Sequence, residues 1–181
     1  MYLKGKSVSH IRNESTQPSL RCAYSGKRGA YAEQAITRYF DGAQVQSIPF
    51  DSFTDIFQAV TDGRVDYGMV PIENSLAGSV YQNYDNFSRF EDVSIVGAIT
   101  LNIRHALLGV KGSTLADVRT VYSHPQAMSQ SKKFLDGHKD WIQVDAVSTA
   151  SAASLVASKG SAENAAIASP VNAQLYGLSV L

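Results

Sequence analysis

Amide and hydroxyl side chains recur where this sequence passes from strand to helix. Residues 65–80, VDYGMVPIENSLAGSV, place Glu73, Asn74 and Ser75 just after a short apolar run. Pro71 ends that run, because proline has no N–H to give to a sheet. Residues 121–130, VYSHPQAMSQ, repeat the arrangement with Ser123, His124, Gln126 and Gln130. Gln126 and Gln130 are four apart and share a helix face. Ser148 and Thr149 precede a third helical pattern, and Gly26 and Gly29 bracket a tight turn after residues 21–25. Such groups donate and accept hydrogen bonds without changing charge. The helix N-termini beside them add unpaired N–H groups and the positive end of the helix dipole. Together they suit an anion. The glycine turn serves equally well as a phosphate cradle or as a plain βα turn. His105 and His124 are the titratable candidates for a general acid. His105 alternates with apolar residues and reads as a packed core histidine; His124 reads as a hydrogen-bonded turn residue. Arg104 reads as a solvated or ion-paired cation, and Glu73 as an acceptor within its turn. There is no metal-ligand spacing and no nucleophile–base arrangement, so neither metal nor cofactor is expected.

Positioning these groups takes alternating strands and helices. Strands are expected over 21–25, 45–50 and 66–70, and helices over 30–40 and from Ser52 to Gly63. In the latter, Phe53, Ile56, Phe57 and Val60 make one apolar stripe, Ser52 and Asp55 form a capping-box pattern, and Gly63 ends the helix. Asn74 or Ser75 is expected to cap a helix that turns Leu76, Val80 and Tyr81 inward. Residues 93–99 and 101–108 are apolar enough for strands. The second half repeats the plan: strand 118–122, helix 125–135, strand 141–146, then a helix capped by Ser148 or Thr149 with Ala152, Leu155 and Val156 inward. Gly160 closes that helix, strand 165–168 follows, and a last helix reaches Tyr176 and stops at Gly177. Residues 52–60 and 148–156 share their spacing, each segment ends at a glycine, and each is followed by a strand that stops at proline, Pro71 or Pro170. Two βαβαβ lobes are therefore expected, about 21–99 and about 100–181, with right-handed crossovers. Their strand ends would face one cleft, where ligands bind in open α/β folds. Residues 1–20, rich in Ser, Asn, Gln and Lys, read as a linker or tail.

The 16 basic and 16 acidic residues cancel, which removes any electrostatic reason to expect nucleic acid or an anionic membrane as partner. No apolar run approaches membrane-spanning length, and the N-terminus has no apolar signal-peptide core, so the cytoplasm is the default compartment. The single cysteine, Cys22, cannot form a disulfide within the chain and reads as a small buried hydrophobe.

Several stretches resemble the catalytic domain of prephenate dehydratase and its close relative arogenate dehydratase. They are GxxGAYAEQA at 26–35, DYGMVPIENSLAGSV, IRHALLG at 103–109, VYSHPQAMSQ, STASAA at 148–153 and AAIASPVNAQLYGL at 165–178. They occur in family order and cover nearly everything after residue 20. The resemblance implies an α/β fold of the two-lobed, type II periplasmic-binding-protein kind, with the ligand in a cleft between lobes. It implies a lyase of phenylalanine biosynthesis that converts prephenate to phenylpyruvate, carbon dioxide and water without a cofactor. By the same resemblance Asn74, Ser123 and Gln130 are the catalytic positions. Ser75, His124, Gln126, Ser148, Thr149, Gly26 and Gly29 are expected to bind substrate around them. The alternatives are arogenate as substrate, or a non-catalytic solute-binding module of the same fold. The family pattern continues to a Thr-Arg-Phe motif and, in many members, a regulatory ACT domain. Residues 1–181 hold neither, so the catalytic domain reads as truncated at its C-terminus, and a further reading is a fragment of a longer protein with a chorismate mutase segment upstream or a regulatory domain downstream. A homodimer or higher homo-oligomer is expected of the full-length protein.

Overall fold

The computed structural model describes residues 2–5, 19–76 and 78–181. They form two compact units. The first comprises described residues up to Gly26 together with Ala32–Leu101; the second comprises Lys27–Tyr31 and Asn102–Leu181. Each contains its own five-stranded sheet.

In the first unit the strands are β1 (Tyr2–Gly5), β2 (Leu20–Ser25), β3 (Val45–Phe50), β4 (Tyr67–Met69) and β7 (Val93–Gly97), with a two-stranded ribbon, β5 (Glu73–Asn74) and β6 (Gly78–Ser79). Its helices are α1 (Tyr31–Tyr39, whose first residue belongs to the second unit), α2 (Phe53–Thr61) and α3 (Tyr81–Arg89). The sheet order is β3-β2-β4-β1-β7, with β2 parallel to β3 and β4, and β1 antiparallel to β4 and β7. Helix α2 forms as its spacing dictates. Ser52 accepts from the Asp55 N–H at 3.1 Å, and its hydroxyl donates to the Asp55 carboxylate at 2.6 Å. Ile56, Phe57 and Val60 face a core that also holds Ala23, Val65, Val70, Phe90 and Val93, with Phe53 packed at its margin. Burying each large side chain there is worth about 1.5–3 kcal/mol. Gly63, at φ +68°, turns the chain out of the helix.

The second unit contains β8 (Ala106–Val110), β9 (Thr120–Ser123), α4 (Pro125–Gln130), α5 (Lys132–Leu135), β10 (Ile142–Asp145), α6 (Thr149–Lys159), β11 (Asn164–Ala168), α7 (Val171–Tyr176) and β12 (Leu178–Val180). Its order, β10-β9-β11-β8-β12, matches that of the first sheet position by position. Strands β10, β9 and β11 are mutually parallel, and β8 runs antiparallel to β11 and β12. The repeat seen in the sequence is thus a repeat of topology: α2 and α6 follow corresponding strands, and Pro71 and Pro170 follow corresponding strands. Ala152, Ala153 and Val156 of α6 are wholly buried against Leu108 and Ala166.

Several expectations need correction. Of the residues read as a linker or tail, 6–18 lie outside the described residues, and Tyr2–Gly5 are a strand that takes the place in the first sheet that β8 takes in the second. Neither Asn74 nor Ser75 caps a helix. The chain after Pro71 makes the β5–β6 ribbon, with Gly78 at φ +78°, and α3 begins only at Tyr81 after Val80, which makes no side-chain cap bond. Leu76 and Tyr81 accordingly point to solvent, 78% and 76% exposed. The helix expected over 125–135 breaks at Ser131 into α4 and α5, and Leu155 lies on the exposed side of α6. Strand β12 was not anticipated beyond Gly177.

Candidate functional site

The parallel strands of the second unit end with their carboxyl termini at one edge of the sheet, and the polar residues gather there. Register pairs Ser123 with Asp145, so β9 and β10 finish level. The Ala146 N–H then bonds to the Ser123 carbonyl at 2.8 Å. Ser123 is buried, and its hydroxyl donates to the Ile167 carbonyl at 2.6 Å. His124 is the N-cap of α4: its Nδ1 accepts the Gln126 N–H at 3.2 Å, and Pro125 occupies the first helical turn. That fixes His124 as the turn residue its position suggested. The Gln126 side chain is exposed, whereas Gln130 is half-buried.

Ser148, not Thr149, caps α6. Its Oγ accepts the Ser151 N–H at 3.0 Å, and Ser151 Oγ accepts the Ser148 N–H at 2.8 Å, closing a capping box. Thr149 is the first residue of the helix.

The turn around Gly29 is built into the second unit. Asn172 Nδ2 donates to the carbonyls of Gly29 and Ser169, both at 3.2 Å, and the Tyr176 hydroxyl donates to the Arg28 carbonyl at 2.7 Å. Gly29 has φ +88°, and a Cβ there would lie 2.1 Å from Asn172 Oδ1. That packing accounts for the glycine without any ligand. Gly26, at φ 112°, belongs to the first unit, and its N–H bonds to the Phe50 carbonyl at 3.2 Å.

Residues 31, 105 and 130 form a connected set that the sequence did not announce. The Tyr31 hydroxyl donates to the Arg104 carbonyl at 2.6 Å and lies 3.0 Å from His105 Nδ1; His105 Nε2 lies 2.8 Å from Gln130 Oε1. His105 is therefore not a core histidine. It is half-buried, just ahead of β8, and links two polar side chains. Burial pushes the Tyr31 phenol well above the ordinary tyrosine range, partly offset by a hydrogen bond with Ser169. The position of Tyr31 at the very start of α1 was the available signal.

Asn74 and Ser75 lie in the first unit. Asn74 Oδ1 accepts the Leu76 N–H at 2.9 Å, an Asx turn that shapes the β5–β6 ribbon. Ser75 is exposed in the turn between these strands. Behind the turn, the buried Asn83 of α3 donates to the Pro71 carbonyl at 2.7 Å. Among the described residues no cluster of His, Cys, Asp and Glu is arranged to hold a metal ion, and no helix is long and apolar enough to cross a membrane.

Residues 22–181 match the family model described as prephenate dehydratase. Arogenate dehydratase 2 of Petunia hybrida is 40% identical over 180 residues, which cover 99% of this chain and 44% of that protein. The bifunctional chorismate mutase/prephenate dehydratase of Escherichia coli K12 is 40% identical over 172 residues, covering 93% of this chain and 44% of the relative. The chain thus spans less than half the length of these curated relatives. Among solved structures, the prephenate dehydratase from Arthrobacter aurescens in complex with L-Phe superposes with a TM-score of 0.81 at 27% identity, over 90% of this chain and 54% of that one. The α/β fold described above is the one shared with that structure.

Proposed function

This chain belongs to the prephenate dehydratase family, and we propose that it carries the decarboxylating dehydration of prephenate to phenylpyruvate. The observation that carries the reading is the family match across residues 22–181, which includes both VPIENS and YSHPQA. In this reaction the bond from the ring to its carboxylate breaks. The released electron pair enters the ring as it becomes aromatic, and the ring hydroxyl leaves, taking a proton to become water. Aromatisation supplies the driving force, so the protein has to bind a dianion and assist the leaving oxygen. Donors aimed at that oxygen help most, because charge grows there in the transition state; one such donor is worth about 3 kcal/mol. We assign this work to Asn74, Ser123 and Gln130. Ser75, His124, Gln126, Ser148, Thr149 and the turn at Gly26 and Gly29 belong to substrate binding in the same proposal. Since His124 and Ser148 already spend side-chain acceptors on helix caps, their contribution would be to hold the N-termini of α4 and α6 in place.

Arogenate is the second reading, favoured by the name of the Petunia relative. It differs from prephenate in carrying an amino group where prephenate has a keto oxygen, so it yields phenylalanine directly. The proposal extends to a cytoplasmic homodimer or higher homo-oligomer for the full-length protein. Purified protein is to be offered prephenate and arogenate in parallel, with phenylpyruvate read as its enolate in alkali and phenylalanine by chromatography. Turnover of prephenate supports the first reading, and turnover of arogenate alone the second. Failure with both in the full-length protein would sink the activity, and sedimentation of that protein tests the oligomer.

A further inference from the structure

We propose that Asn83 is a positioning residue for Asn74: it grips both arms of the β5–β6 ribbon at their base and so fixes where the Asn74 amide stands. The inference rests on the reading of Asn74 as a group that meets substrate.

The ribbon has little of its own to hold it. Each strand is two residues long, pairing Glu73 with Ser79 and Asn74 with Gly78, and a two-stranded hairpin by itself is marginal in water. Of its described residues, Glu73, Ser75, Leu76 and Gly78 are exposed, so burial contributes little. Pro71, just before it, lacks the N–H that would extend the pairing of β4. The direction of the ribbon is therefore set where its two arms meet the rest of the first unit.

Asn83 stands at that point. Its Nδ2 donates to the Pro71 carbonyl on the entering arm at 2.7 Å, and its backbone N–H bonds to the Val80 carbonyl on the leaving arm at 3.0 Å. A carbonyl oxygen only accepts, so the end of the amide that faces Pro71 is fixed as the NH₂. The Val80 N–H bonds in turn to the Ile72 carbonyl at 2.8 Å. That closes a ring from Pro71 through Ile72, Val80 and Asn83 back to Pro71, and Asn74 is the second residue beyond Ile72.

Helix α3 ties this clamp to the core. Asn86 and Phe87, three and four residues past Asn83, lie on the same helix face. Asn86 hydrogen-bonds to Thr54 of α2 at 3.2 Å, and the Phe87 ring meets the wholly buried Phe57 ring edge-on, 5.0 Å between centroids. Asn83 is itself wholly buried, while Tyr81 and Tyr84 of the same helix are exposed, the reverse of the usual pattern. A buried amide is costly unless its hydrogen bonds are made, and Asn83 Oδ1 has no partner among the described residues. Leucine has a similar shape and would be buried there without that cost. Helix packing thus gives no reason for an asparagine; the bond to Pro71 does.

The test compares Asn83→Leu with Asn86→Leu, which removes a second buried amide from the same helix face but leaves the bonds at the ribbon base in place. In Asn83→Leu the Val80 N–H should exchange with solvent about tenfold or more faster than in the wild type, read by NMR, and in Asn86→Leu it should not change. In active protein, Asn83→Leu should lower kcat about ten- to hundredfold, the scale of a misplaced catalytic group, with KM moving by less than about threefold. Asn86→Leu should keep the wild-type kcat. In an Asn74→Ala background, Asn83→Leu should cost little more, because its effect runs through Asn74. Wild-type exchange of the Val80 N–H in Asn83→Leu overturns the proposal, as does equal acceleration in both leucine variants or an undiminished kcat loss in the Asn74→Ala background. Asn83→Ala takes the place of Asn83→Leu if leucine prevents folding. Failure of both to fold, with Asn86→Leu intact, makes Asn83 an element of the fold alone and also overturns the proposal. Absence of turnover with either substrate in the full-length wild type counts against the proposed function instead, and the exchange result still decides the clamp.

Discussion

The Ser123 hydroxyl gives its proton to the Ile167 carbonyl, 2.6 Å away on the neighbouring parallel strand. Ser123 can therefore donate to a substrate only by releasing this bond; as it stands it offers lone pairs. Ser123→Ala should cost about 1–3 kcal/mol of stability, because a buried hydrogen bond is lost, and urea denaturation will measure it. If the hydroxyl also serves the leaving oxygen, kcat falls by about a hundredfold at temperatures where the variant is fully folded. A variant with lower stability and unchanged kcat would make Ser123 a strand tie alone.

Gly29 and Asn172 should behave as one unit. A methyl group at Gly29 would stand 2.1 Å from Asn172 Oδ1 and 2.9 Å from Leu175 Cδ2, on a backbone at φ +88°. Gly29→Ala is expected to destabilise by about 2 kcal/mol or more. Asn172→Ala alone removes two donated hydrogen bonds, and it also opens the space that a residue-29 methyl needs. The double variant should therefore be more stable than the sum of the single losses predicts, by about 0.5 kcal/mol or more. Strict additivity in thermal melts would show that the strained backbone, not the clash, carries the cost.

Cys22 lies wholly buried in β2, and burial pushes its thiol from the ordinary 9.0 up to about 12. The folded protein keeps the proton while the unfolded chain loses it as the pH passes 9.0. The unfolded state then binds fewer protons, so stability should fall as pH rises from 9.0 toward about 12. In the native state the thiol should resist a disulfide reagent that it consumes quickly in denaturant. Rapid native labelling, or a Cys22→Ala variant with the same alkaline slope, would contradict this.

The repeat was legible because its signals are local. Ser52 and Ser148 cap helices by bonding to a backbone N–H three residues on, and Gly63 and Gly160 leave those helices at positive φ, so spacing alone revealed both copies. Tyr2–Gly5 gave no such signal. They are a strand because β4 and β7 flank them, and contacts of that kind override composition. The junction after Pro71 misled for a related reason. Asn is a good helix N-cap and an equally good Asx-turn former, and the local residues do not choose between the two. The polar groups at the strand ends were found by type and position. Their partners were not: the Tyr31–His105–Gln130 chain joins residues as far as 74 apart in sequence, and no periodicity encodes it.

Asn74 offers the sharpest separation of structure from chemistry. Its Oδ1 holds the turn by accepting the Leu76 N–H at 2.9 Å, while its NH₂ is the half that could donate to a leaving oxygen. Asn74→Ala removes both, so a loss of rate in that variant is ambiguous. Asn74→Asp keeps the acceptor and removes the donor. The turn should survive in Asn74→Asp, with a melting temperature close to that of the wild type, whereas Asn74→Ala should lose about 0.5–1.5 kcal/mol. If the NH₂ stabilises the transition state, both variants lose about a hundredfold or more in kcat. The aspartate also sets a negative charge before a dianionic substrate, so it should raise KM further than alanine does, and added salt should lessen that excess. Wild-type kcat in Asn74→Asp, with the turn intact, would show that the amide does no more than shape the ribbon.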